Sequence, residues 1–256
     1  MIDTLKGKKG LVIGIANEDS IAWGCAKAFH DAGAELAITY VHPKTEAYSR
    51  PLAEELDVPI FMQCDVEKED ELDALFQRIN EEWGELDFML HSIAFAPKQD
   101  LGGRVTDCSR EGFAKAMDIS CHSFIRMARK AEPLMKNGGC LLTVSYYGAE
   151  KVVDHYNIMG PVKAALEASV RYLAAELGSG GIRVNSLSPG PIATRAASGI
   201  GHFDALLEQA KQKSPEHALV CINCVGAYAR FLVSDEAHLV TGSNVYIDAG
   251  FNIMGT

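Results

Sequence analysis

The stretch Gly10-Leu-Val-Ile-Gly-Ile-Ala-Asn-Glu-Asp-Ser-Ile-Ala-Trp-Gly24 decides the fold, because in it an apolar strand leads directly into a helix. The apolar run 10–15 predicts a buried strand, and the pattern of residues 21–32 predicts the helix. Between them, Gly14 permits a tight turn and Ser20 can cap the helix. A strand that turns at once into a helix is typical of an alternating α/β chain.

The rest of the chain repeats this alternation. Further strands are predicted at residues 35–41, 59–63, 86–91, 140–144, 182–187 and 244–247. Further helices are predicted before 59 and at 67–83, 111–135, 156–177 and 221–232. Strands rich in Val, Ile and Leu and separated by helices favour a parallel sheet. The predicted fold class is therefore α/β: a single-domain doubly wound parallel sheet (Rossmann fold) of about seven strands, with helices on both faces and ligands at the carboxyl ends of the strands.

One domain over residues 1–256 is expected, because no low-complexity stretch separates a second one. The segment 191–215 fits neither a strand nor a strong helix at its beginning. It is a candidate mobile flap, since long irregular segments in compact domains are often lids. An ordinary surface helix with a ragged start is the alternative.

Composition disfavours several kinds of partner. The net charge of −10 argues against nucleic acid and anionic membranes, and no apolar run approaches the ~20 residues of a membrane helix. The first residues include Asp3 and make a poor signal peptide. Seven scattered cysteines do not resemble a disulfide framework, so a cytoplasmic location is expected. Cys221 and Cys224 form one CxxC without further ligands, so ordinary packing is expected there, and no metal site.

The first turn could bind a dinucleotide. The helix that follows Gly14 presents free amides at its N-terminus, which suit a pyrophosphate, and Gly24 permits close packing against the sheet. The usual G-x-G-x-x-G pattern is absent, so a plain strand-to-helix turn is the alternative.

The end of the second strand should contact the adenosine ribose of such a cofactor. An acidic residue there favours NAD, and an arginine favours NADP. This chain has Tyr40, Val41, His42 and, after Pro43, Lys44. With no carboxylate and two groups that could meet a phosphate, these residues leave NAD and NADP both open.

Two further strand ends complete the predicted cofactor site. Asp65 follows the third strand and could hydrogen-bond the adenine amine, while Val66 could pack on the adenine ring. Ser92 and Ile93 follow the fourth strand, where the ribose next to the nicotinamide should lie.

Tyr156 and Lys163 stand seven residues apart on a predicted helix, about two turns, so both side chains should project from one face. A phenol beside a lysine can donate a proton and stabilise an oxyanion, which a reductase needs. A surface pair that shares a face by accident is the alternative.

Taken together, the motifs resemble those of the enoyl-acyl-carrier-protein reductases, a divergent branch of the short-chain dehydrogenase/reductase superfamily. The resemblance covers essentially the whole chain. It rests on Gly14 with Ser20-Ile21-Ala22 and Gly24, Cys64-Asp65-Val66, His91-Ser92-Ile93-Ala94-Phe95-Ala96-Pro97, Ser145-Tyr146, Gly148-Ala149, Tyr156-Asn157, Met159-Gly160, Lys163, Arg183-Val184-Asn185, Gly190-Pro191-Ile192 and Asp248-Ala249-Gly250.

Tyr147 and Lys151 form a literal YxxxK, the signature of the ketone-reducing members of that superfamily. Those enzymes place the tyrosine about a dozen residues after a serine that ends the fifth strand. Here Tyr147 lies only two residues after Ser145, whereas Tyr156 lies eleven residues after it. Tyr156 is therefore preferred as the catalytic tyrosine.

The resemblance implies conjugate reduction of an enoyl thioester in fatty-acid elongation, with NADH as the cofactor and NADPH not excluded. Tyr156 would stabilise the enolate, and Lys163 would bind the nicotinamide ribose. Tyr146 would line the acyl site, and Ala96 would meet the substrate through its backbone. The substrate flap would begin at the residues that cover the nicotinamide, which are Ile192, Ala193, Thr194, Arg195 and Ala196. Ile21 would complete the cofactor site together with Gly14, Ser20, Val41, Asp65, Val66, Ser92 and Ile93.

The expected partners are an acyl-thioester substrate carried by acyl-carrier protein and further copies of this chain in a homotetramer. In a tetramer, Leu166, Val170 and Leu173 would fit an apolar stripe between helices; packing against their own sheet is an equal alternative.

Departures from the family pattern are the Ser188-Pro189-Gly190-Pro191 stretch, Ala193, Glu216-His217-Ala218 and Asn223-Cys224. They fall in and beyond the flap, so a CoA thioester stays open as the substrate. A short-chain reductase of ketones or alcohols and a non-catalytic dinucleotide-binding regulator are the alternative functions.

Overall fold

The computed structural model describes residues 4–195 and 203–255, and in them one sheet of seven parallel strands forms the centre. The strands are β1 (Lys9–Ile13), β2 (Glu35–Tyr40), β3 (Ile60–Gln63), β4 (Phe88–His91), β5 (Gly139–Val144), β6 (Ile182–Pro189) and β7 (Asn244–Ile247). Their spatial order is β3-β2-β1-β4-β5-β6-β7, so the predicted doubly wound Rossmann fold is confirmed. The order reverses between β1 and β4, and ligands of such sheets bind at that point.

Helices cover both faces of the sheet, as predicted. They are α1 (Ile21–Asp31), α2 (Pro43–Glu55), α3 (Glu69–Glu82), α4 (Lys98–Leu101), α5 (Arg110–Met117), α6 (Ser123–Ala131), α7 (Met159–Leu177), α8 (Phe203–Lys213) and α9 (Ile222–Val233). None of these helices is both long and apolar enough to span a bilayer.

Two apolar layers hold the helices on the sheet. One layer joins α3, α6 and α7 to the sheet, and the other joins α1 and α9 to it. Leu166, Val170 and Leu173 belong to the first layer and are buried within their own chain, which agrees with the second interpretation of that stripe. In the other layer, the Phe29 ring meets the edge of Phe88 at 4.8 Å between centroids.

Two helices differ from the sequence prediction. The segment predicted as one helix at 111–135 contains a widened π-helical turn, Asp118–His122, between α5 and α6. The helix predicted from residue 156 begins at Met159, because His155 and Asn157 have left-handed backbones with φ of 64° and 46°. A non-glycine residue in that conformation cannot continue an α-helix.

The predicted flap contains a helix, α8, in its second half. Residues 196–202 of the flap lie outside the described residues, and Ala196 is among them.

Candidate active site

A cavity of about 310 Å³ opens at the carboxyl ends of the central strands. Its wall is mainly apolar and includes Ile21, Phe95, Ala96, Tyr146, Tyr156 and Phe203. Tyr146, Tyr156 and Ala96 were predicted from the sequence as substrate-binding residues, and the structure brings them together here. An apolar wall of this size suits an acyl chain, with few polar groups available to orient it.

Two tyrosines contribute phenol groups to the cavity, which Ser145 and Thr194 also line. The rings of Tyr146 and Tyr156 meet edge to face, with centroids 4.9 Å apart. A Cβ added to Gly148 would come within 2.4 Å of the Tyr156 ring, so only a glycine leaves room for that ring. Burial raises the pKa of Tyr146 to about 12 and also raises the pKa of Tyr156. Both phenols therefore keep their protons at neutral pH and can donate hydrogen bonds.

The buried hydroxyl of Tyr146 has no hydrogen-bond partner within the described part of the chain. Leaving a buried hydroxyl without a partner costs about 1–3 kcal/mol. Since Tyr146 lines the cavity, a polar atom of a bound ligand could supply the missing partner. The cavity is thus prepared for a ligand that carries an oxygen next to an apolar chain.

Lys163 lies behind the tyrosines, on the second turn of α7. Its side chain is only 4% exposed, and Nζ donates to the carbonyl of Val144 over 2.7 Å. Burial lowers the pKa of Lys163 to about 8. The lysine remains mostly cationic at neutral pH, but its charge responds to small changes in the surroundings.

The relation of Tyr156 to Lys163 corrects the sequence prediction. Tyr156 precedes α7, so the two residues do not stand two helical turns apart on one helix. The turn that carries Tyr156 is closed by its own amide, which donates to the carbonyl of Val153 at 3.2 Å. Both side chains are buried, which excludes the alternative of an accidental surface pair.

One helical turn beyond Lys163, the buried carboxyl of Glu167 accepts a hydrogen bond from Ser145 Oγ at 2.5 Å. Burial raises the pKa of Glu167. This contact ties the end of β5 to α7 and thereby fixes the positions of Tyr146 and Lys163 relative to each other. No sequence motif indicated Glu167, although its spacing of four residues from Lys163 was a usable signal.

His91 is a structural residue behind the site. Ser123 Oγ donates to the carbonyl of Ile119 at 2.6 Å, so it accepts from His91 Nε2 at 2.8 Å. His91 Nδ1 then accepts from Thr143 Oγ1 at 3.0 Å. Burial lowers the pKa of His91 to about 3, so this ring stays neutral and joins β4, β5 and α6.

Gly14 and Ser92 bring the ends of β1 and β4 together. Gly14 has φ of 112°, and a Cβ there would lie 2.0 Å from the carbonyl oxygen of Ser92. The Ser92 amide donates to the carbonyl of Ile13 at 2.9 Å. No residue other than glycine fits at position 14, and Ile93 continues from the same strand end into the apolar layer below.

Ser20 does not cap α1 with its side chain, which corrects the sequence prediction. It occupies the position before the helix, but its Oγ accepts from the amides of Ala16 and Asn17 at 3.0 and 3.1 Å. The loop between Gly14 and the helix is closed by this side chain. The Trp23 amide donates to the Ser20 carbonyl at 2.9 Å, so within the described residues the Ile21 and Ala22 amides are the ones left for another acceptor.

The predicted adenosine-binding residues lie at the ends of β2 and β3. Val41 is 41% exposed, and His42 caps α2 by accepting from the amide of Thr45. The Asp65 amide is bound by Glu71, and Asp65 Oδ1 accepts from Glu67. The Asp65 carboxylate at the end of β3 is therefore held in place by the backbone of the turn that follows it.

Val66 is placed differently from the expectation. Its side chain is 4% exposed and belongs to the core layer under α3 and α6, so it offers little surface to an adenine ring. Its carbonyl accepts from Arg126 over 2.7 Å. The conformation of the turn after a strand decides whether an apolar residue there packs into the core or faces the cofactor site. The sequence alone does not determine that conformation.

The start of the flap reaches the cavity. Ile192 and Thr194 line it, and the amide of Thr194 donates to the carbonyl of Ile192 at 2.8 Å. Ala193 lies between them, and the guanidinium of Arg195 lies over the Tyr48 ring of α2, 5.6 Å from its centroid. Phe203 at the start of α8 closes the same cavity, a contact that no sequence motif indicated.

The comparisons agree with this geometry. The family model described as enoyl-(acyl carrier protein) reductase matches residues 14–252. The chain belongs to the enoyl-(acyl carrier protein) reductase family. It is 48% identical to the enoyl-[acyl-carrier-protein] reductase [NADH] 1 of Rhizobium meliloti, over 98% of this chain and 92% of that protein.

Solved structures of the family superpose closely. An enoyl-(acyl-carrier-protein) reductase of Anaplasma phagocytophilum in complex with NAD has a TM-score of 0.96 and 48% identity, over 100% of this chain and 98% of that one. The Bacillus cereus enoyl-acyl carrier protein reductase, solved with NADP+ and an indole naphthyridinone, has a TM-score of 0.97 and 44% identity over the whole of both chains.

Tyr147 and Lys151, the YxxxK pair, lie apart from the cavity. The Tyr147 ring packs against Phe251 and Tyr246, with centroids 5.5 and 6.4 Å away, and Lys151 is exposed. Tyr147 is not among the residues that line the cavity with Tyr146 and Tyr156. The geometry therefore favours Tyr156 over Tyr147, as the sequence analysis preferred.

Proposed function

We propose that this chain is an enoyl-[acyl-carrier-protein] reductase of fatty-acid synthesis that reduces the trans-2 double bond of an enoyl thioester with NADH. The observation that carries the proposal is the pair of protonated tyrosines, Tyr146 and Tyr156, on an apolar cavity at the switch point of the sheet. An acyl chain fits the apolar wall, and a thioester oxygen fits the hydroxyl groups.

NADH would lie along the carboxyl ends of β1 to β6. The residues proposed to hold it are Gly14, Ser20, Ile21, Val41, Asp65, Ser92, Ile93 and Lys163, with Ile192, Ala193, Thr194 and Arg195 over the nicotinamide. The fit is supported by the closely approaching backbones at Gly14 and by the Ile21 and Ala22 amides at the start of α1, which the Ser20 side chain does not cap. Those amides suit a diphosphate, whose charge the helix N-terminus favours.

Bound NADH supplies the hydride that attacks the β-carbon of the enoyl thioester. Negative charge would then move to the thioester oxygen, where Tyr156 would donate a hydrogen bond to the enolate. Its raised pKa keeps the proton on Tyr156 until that charge develops. Protonation of the enolate at the α-carbon would complete the addition of one hydride and one proton across the double bond. Lys163 binds the ribose next to the nicotinamide and adds a positive charge behind the site, and Tyr146 orients the thioester.

NADH is the proposed cofactor rather than NADPH. The Rhizobium meliloti relative carries NADH in its name, and the Anaplasma phagocytophilum structure contains NAD. Val41 and Lys44 do not exclude a 2′-phosphate, and the Bacillus cereus neighbour was solved with NADP+. Parallel assays with both cofactors measure the preference directly, and a higher kcat/KM with NADPH would contradict this assignment.

The assay follows the loss of reduced-nicotinamide absorbance with a trans-2-enoyl thioester and, in parallel, a β-ketoacyl thioester. Turnover of the enoyl substrate alone is expected. Turnover of the keto substrate alone would contradict the proposal and favour a ketone reductase. Binding of NADH without turnover of either substrate would favour a non-catalytic regulator.

The finer features of the proposal come from the family. The thioester is carried by acyl-carrier protein, the flap over 191–215 closes on it, and the working form is a cytoplasmic homotetramer. A comparison of acyl-carrier-protein and CoA thioesters of one chain length tests the carrier. A higher kcat/KM with the CoA thioester would overturn that part.

A further inference from the structure

Two thiols meet at the start of α9. Cys221 occupies the position before the helix, and Cys224 is the third residue of its first turn. Both side chains are exposed, so the ordinary packing expected from the sequence is wrong for this pair. Cys221 Sγ accepts a hydrogen bond from the Cys224 amide at 3.2 Å, and Cys224 Sγ accepts one from the Cys221 amide at 3.3 Å.

This arrangement brings the sulfurs within reach of a bond. The Cys224 amide donates to the carbonyl of Cys221 at 3.0 Å, which closes the turn. Residues three apart in a helical turn have Cα atoms about 5 Å apart. A disulfide accepts Cα separations of roughly 4.4–6.8 Å, so the turn can hold one without unfolding the helix.

The two thiols are electrostatically different. A hydrogen bond from the Cys224 thiol and the amides of the turn lower the pKa of Cys221. The same hydrogen bond raises the pKa of Cys224. A thiolate at a helix N-terminus is a good nucleophile, and a nearby protonated thiol can resolve the mixed disulfide that it forms.

The other five cysteines are less suited to react with a disulfide than Cys221. Cys25, Cys64, Cys121 and Cys140 are buried, and burial raises the pKa of each thiol. Cys108 is half-buried, and its pKa is also raised. No group of three or more metal-binding side chains occurs among the described residues, so a metal site does not explain the pair.

We propose that Cys221 and Cys224 form a redox-active dithiol that exchanges with low-molecular-weight disulfides. The Cys221 thiolate attacks one sulfur of the disulfide, whose S–S bond breaks and releases one thiolate that takes up the proton lost by Cys221. Cys224 then loses its proton, and its sulfur attacks Cys221 Sγ and releases the second thiol. The protein dithiol is oxidised by two electrons, and the small disulfide is reduced to two thiols.

Glutathione disulfide is the probe that tests this proposal. The protein is incubated with it at neutral pH, quenched with acid, alkylated and cut with trypsin, which releases both cysteines in one peptide, 214–230. Loss of two hydrogens within this peptide, reversed by reduced glutathione, is expected. A peptide that stays fully reduced in excess glutathione disulfide would overturn the proposal.

Two variants separate the roles of the thiols. Cys224→Ser should accumulate a glutathione mixed disulfide on Cys221, whereas Cys221→Ser should react at least tenfold more slowly. Serine keeps an acceptor at the start of the helix, so both variants should fold, which circular dichroism checks. Cys108→Ser is the matched control and should react like the wild type.

The proposal requires that the folded turn causes the difference in reaction rate between Cys221 and Cys224. In 8 M urea, the two single variants should react with glutathione disulfide at similar rates, because the turn that lowers the pKa of Cys221 is lost. Equal rates in the folded protein would contradict the proposal, since the pair would then be two ordinary exposed thiols.

Discussion

Tyr156 is the residue on which the proposed chemistry depends most directly. Replacing it by phenylalanine should lower kcat by about 10²–10³, because one donor to the developing oxyanion is lost. The Kd for NADH, measured by fluorescence titration, should barely change. Tyr147→Phe is the matched control, since that ring packs on Phe251 outside the cavity, and its kcat should stay near the wild-type value. A larger loss from Tyr147→Phe than from Tyr156→Phe would reverse the assignment.

Lys163 makes a prediction about stability and pH. Its pKa is lowered from 10.5 to about 8, so the folded state loses the lysine proton before the unfolded state does as pH rises. Between these two values the unfolded state binds more protons, and stability therefore increases with pH. Relative to Lys163→Met, the free energy of unfolding of the cofactor-free wild type should rise by about 2 kcal/mol from pH 7.5 to 9.5.

Urea unfolding at the two pH values measures that difference. The variant acts as the control, because every other titrating group is common to both proteins. A difference that stays flat, or falls as pH rises, would mean that the ammonium of Lys163 is not penalised by burial.

The sequence predicted which residues converge on the site better than it predicted their individual contacts. Tyr146, Tyr156 and Ala96 share one cavity, as the motifs indicated. Ser20 and Val66 made contacts that no motif could reveal. The Ser20 hydroxyl accepts from the amides of the loop before it and not from those of α1, and the side of the turn on which Val66 packs depends on α6, which lies far from it in sequence.

Among the elements, α1 and α9 are held together by a close backbone contact at two glycines. A Cβ at Gly24 would lie 2.5 Å from the carbonyl oxygen of Ile222, and a Cβ at Gly226 would lie 2.2 Å from that of Gly24. Gly24→Ala should therefore separate the helices and lower the free energy of unfolding by about 1–3 kcal/mol. Because α1 carries the proposed diphosphate site, the affinity for NADH should fall as well.

Gly178→Ala is the matched control for that substitution. Gly178 has a helical backbone with φ of −60°, and a Cβ there would meet nothing within 4 Å. The control should be neutral or more stable by about 0.4–1 kcal/mol, since alanine restricts the unfolded chain. Urea titrations of both variants decide the matter, and equal stabilities would show that the contact at Gly24 is not tight.

The positions of the strands and most helices were predictable from the sequence, whereas the irregular turn within one predicted helix was not. Apolar periodicity located every strand, since the inner strands are mostly buried and the edge strands β3 and β7 are at least half-buried. It could not reveal the π-helical turn at Asp118–His122. There, Ser120 exchanges hydrogen bonds with the backbone of Phe95, and Ser123 meets His91. Contacts to residues about 25 and 32 positions away determine this turn.

At the scale of the whole molecule, the parallel sheet explains why residues from five distant segments form one site. Gly14, Asp65, Ser92, Tyr146 and Ile192 all follow strands, and parallel strands end at the same edge. The order of the strands places the ends of β1 and β4 at the centre, where Gly14 and Ser92 touch. The position of the cavity is therefore a consequence of topology, and its chemistry is a consequence of the two tyrosines.

The outer surface of α5, α6 and α7 leads to the last prediction. These helices pack side by side and expose Phe113, Ile125 and Tyr172, with Tyr172 75% exposed. Exposed aromatic and aliphatic side chains on neighbouring helices favour association between chains. The proposed homotetramer would bury them, so light scattering after gel filtration should give about four times the chain mass of 27.7 kDa.

Tyr172→Glu tests whether this face carries the assembly. A carboxylate buried without a partner is costly, so the variant should shift towards dimers or monomers at micromolar concentration. Leu239→Glu is the matched control, because Leu239 is 85% exposed but lies between α9 and β7, outside this face. Tetramers that persist in Tyr172→Glu but dissociate in Leu239→Glu would assign the interface to the edge near β7 instead.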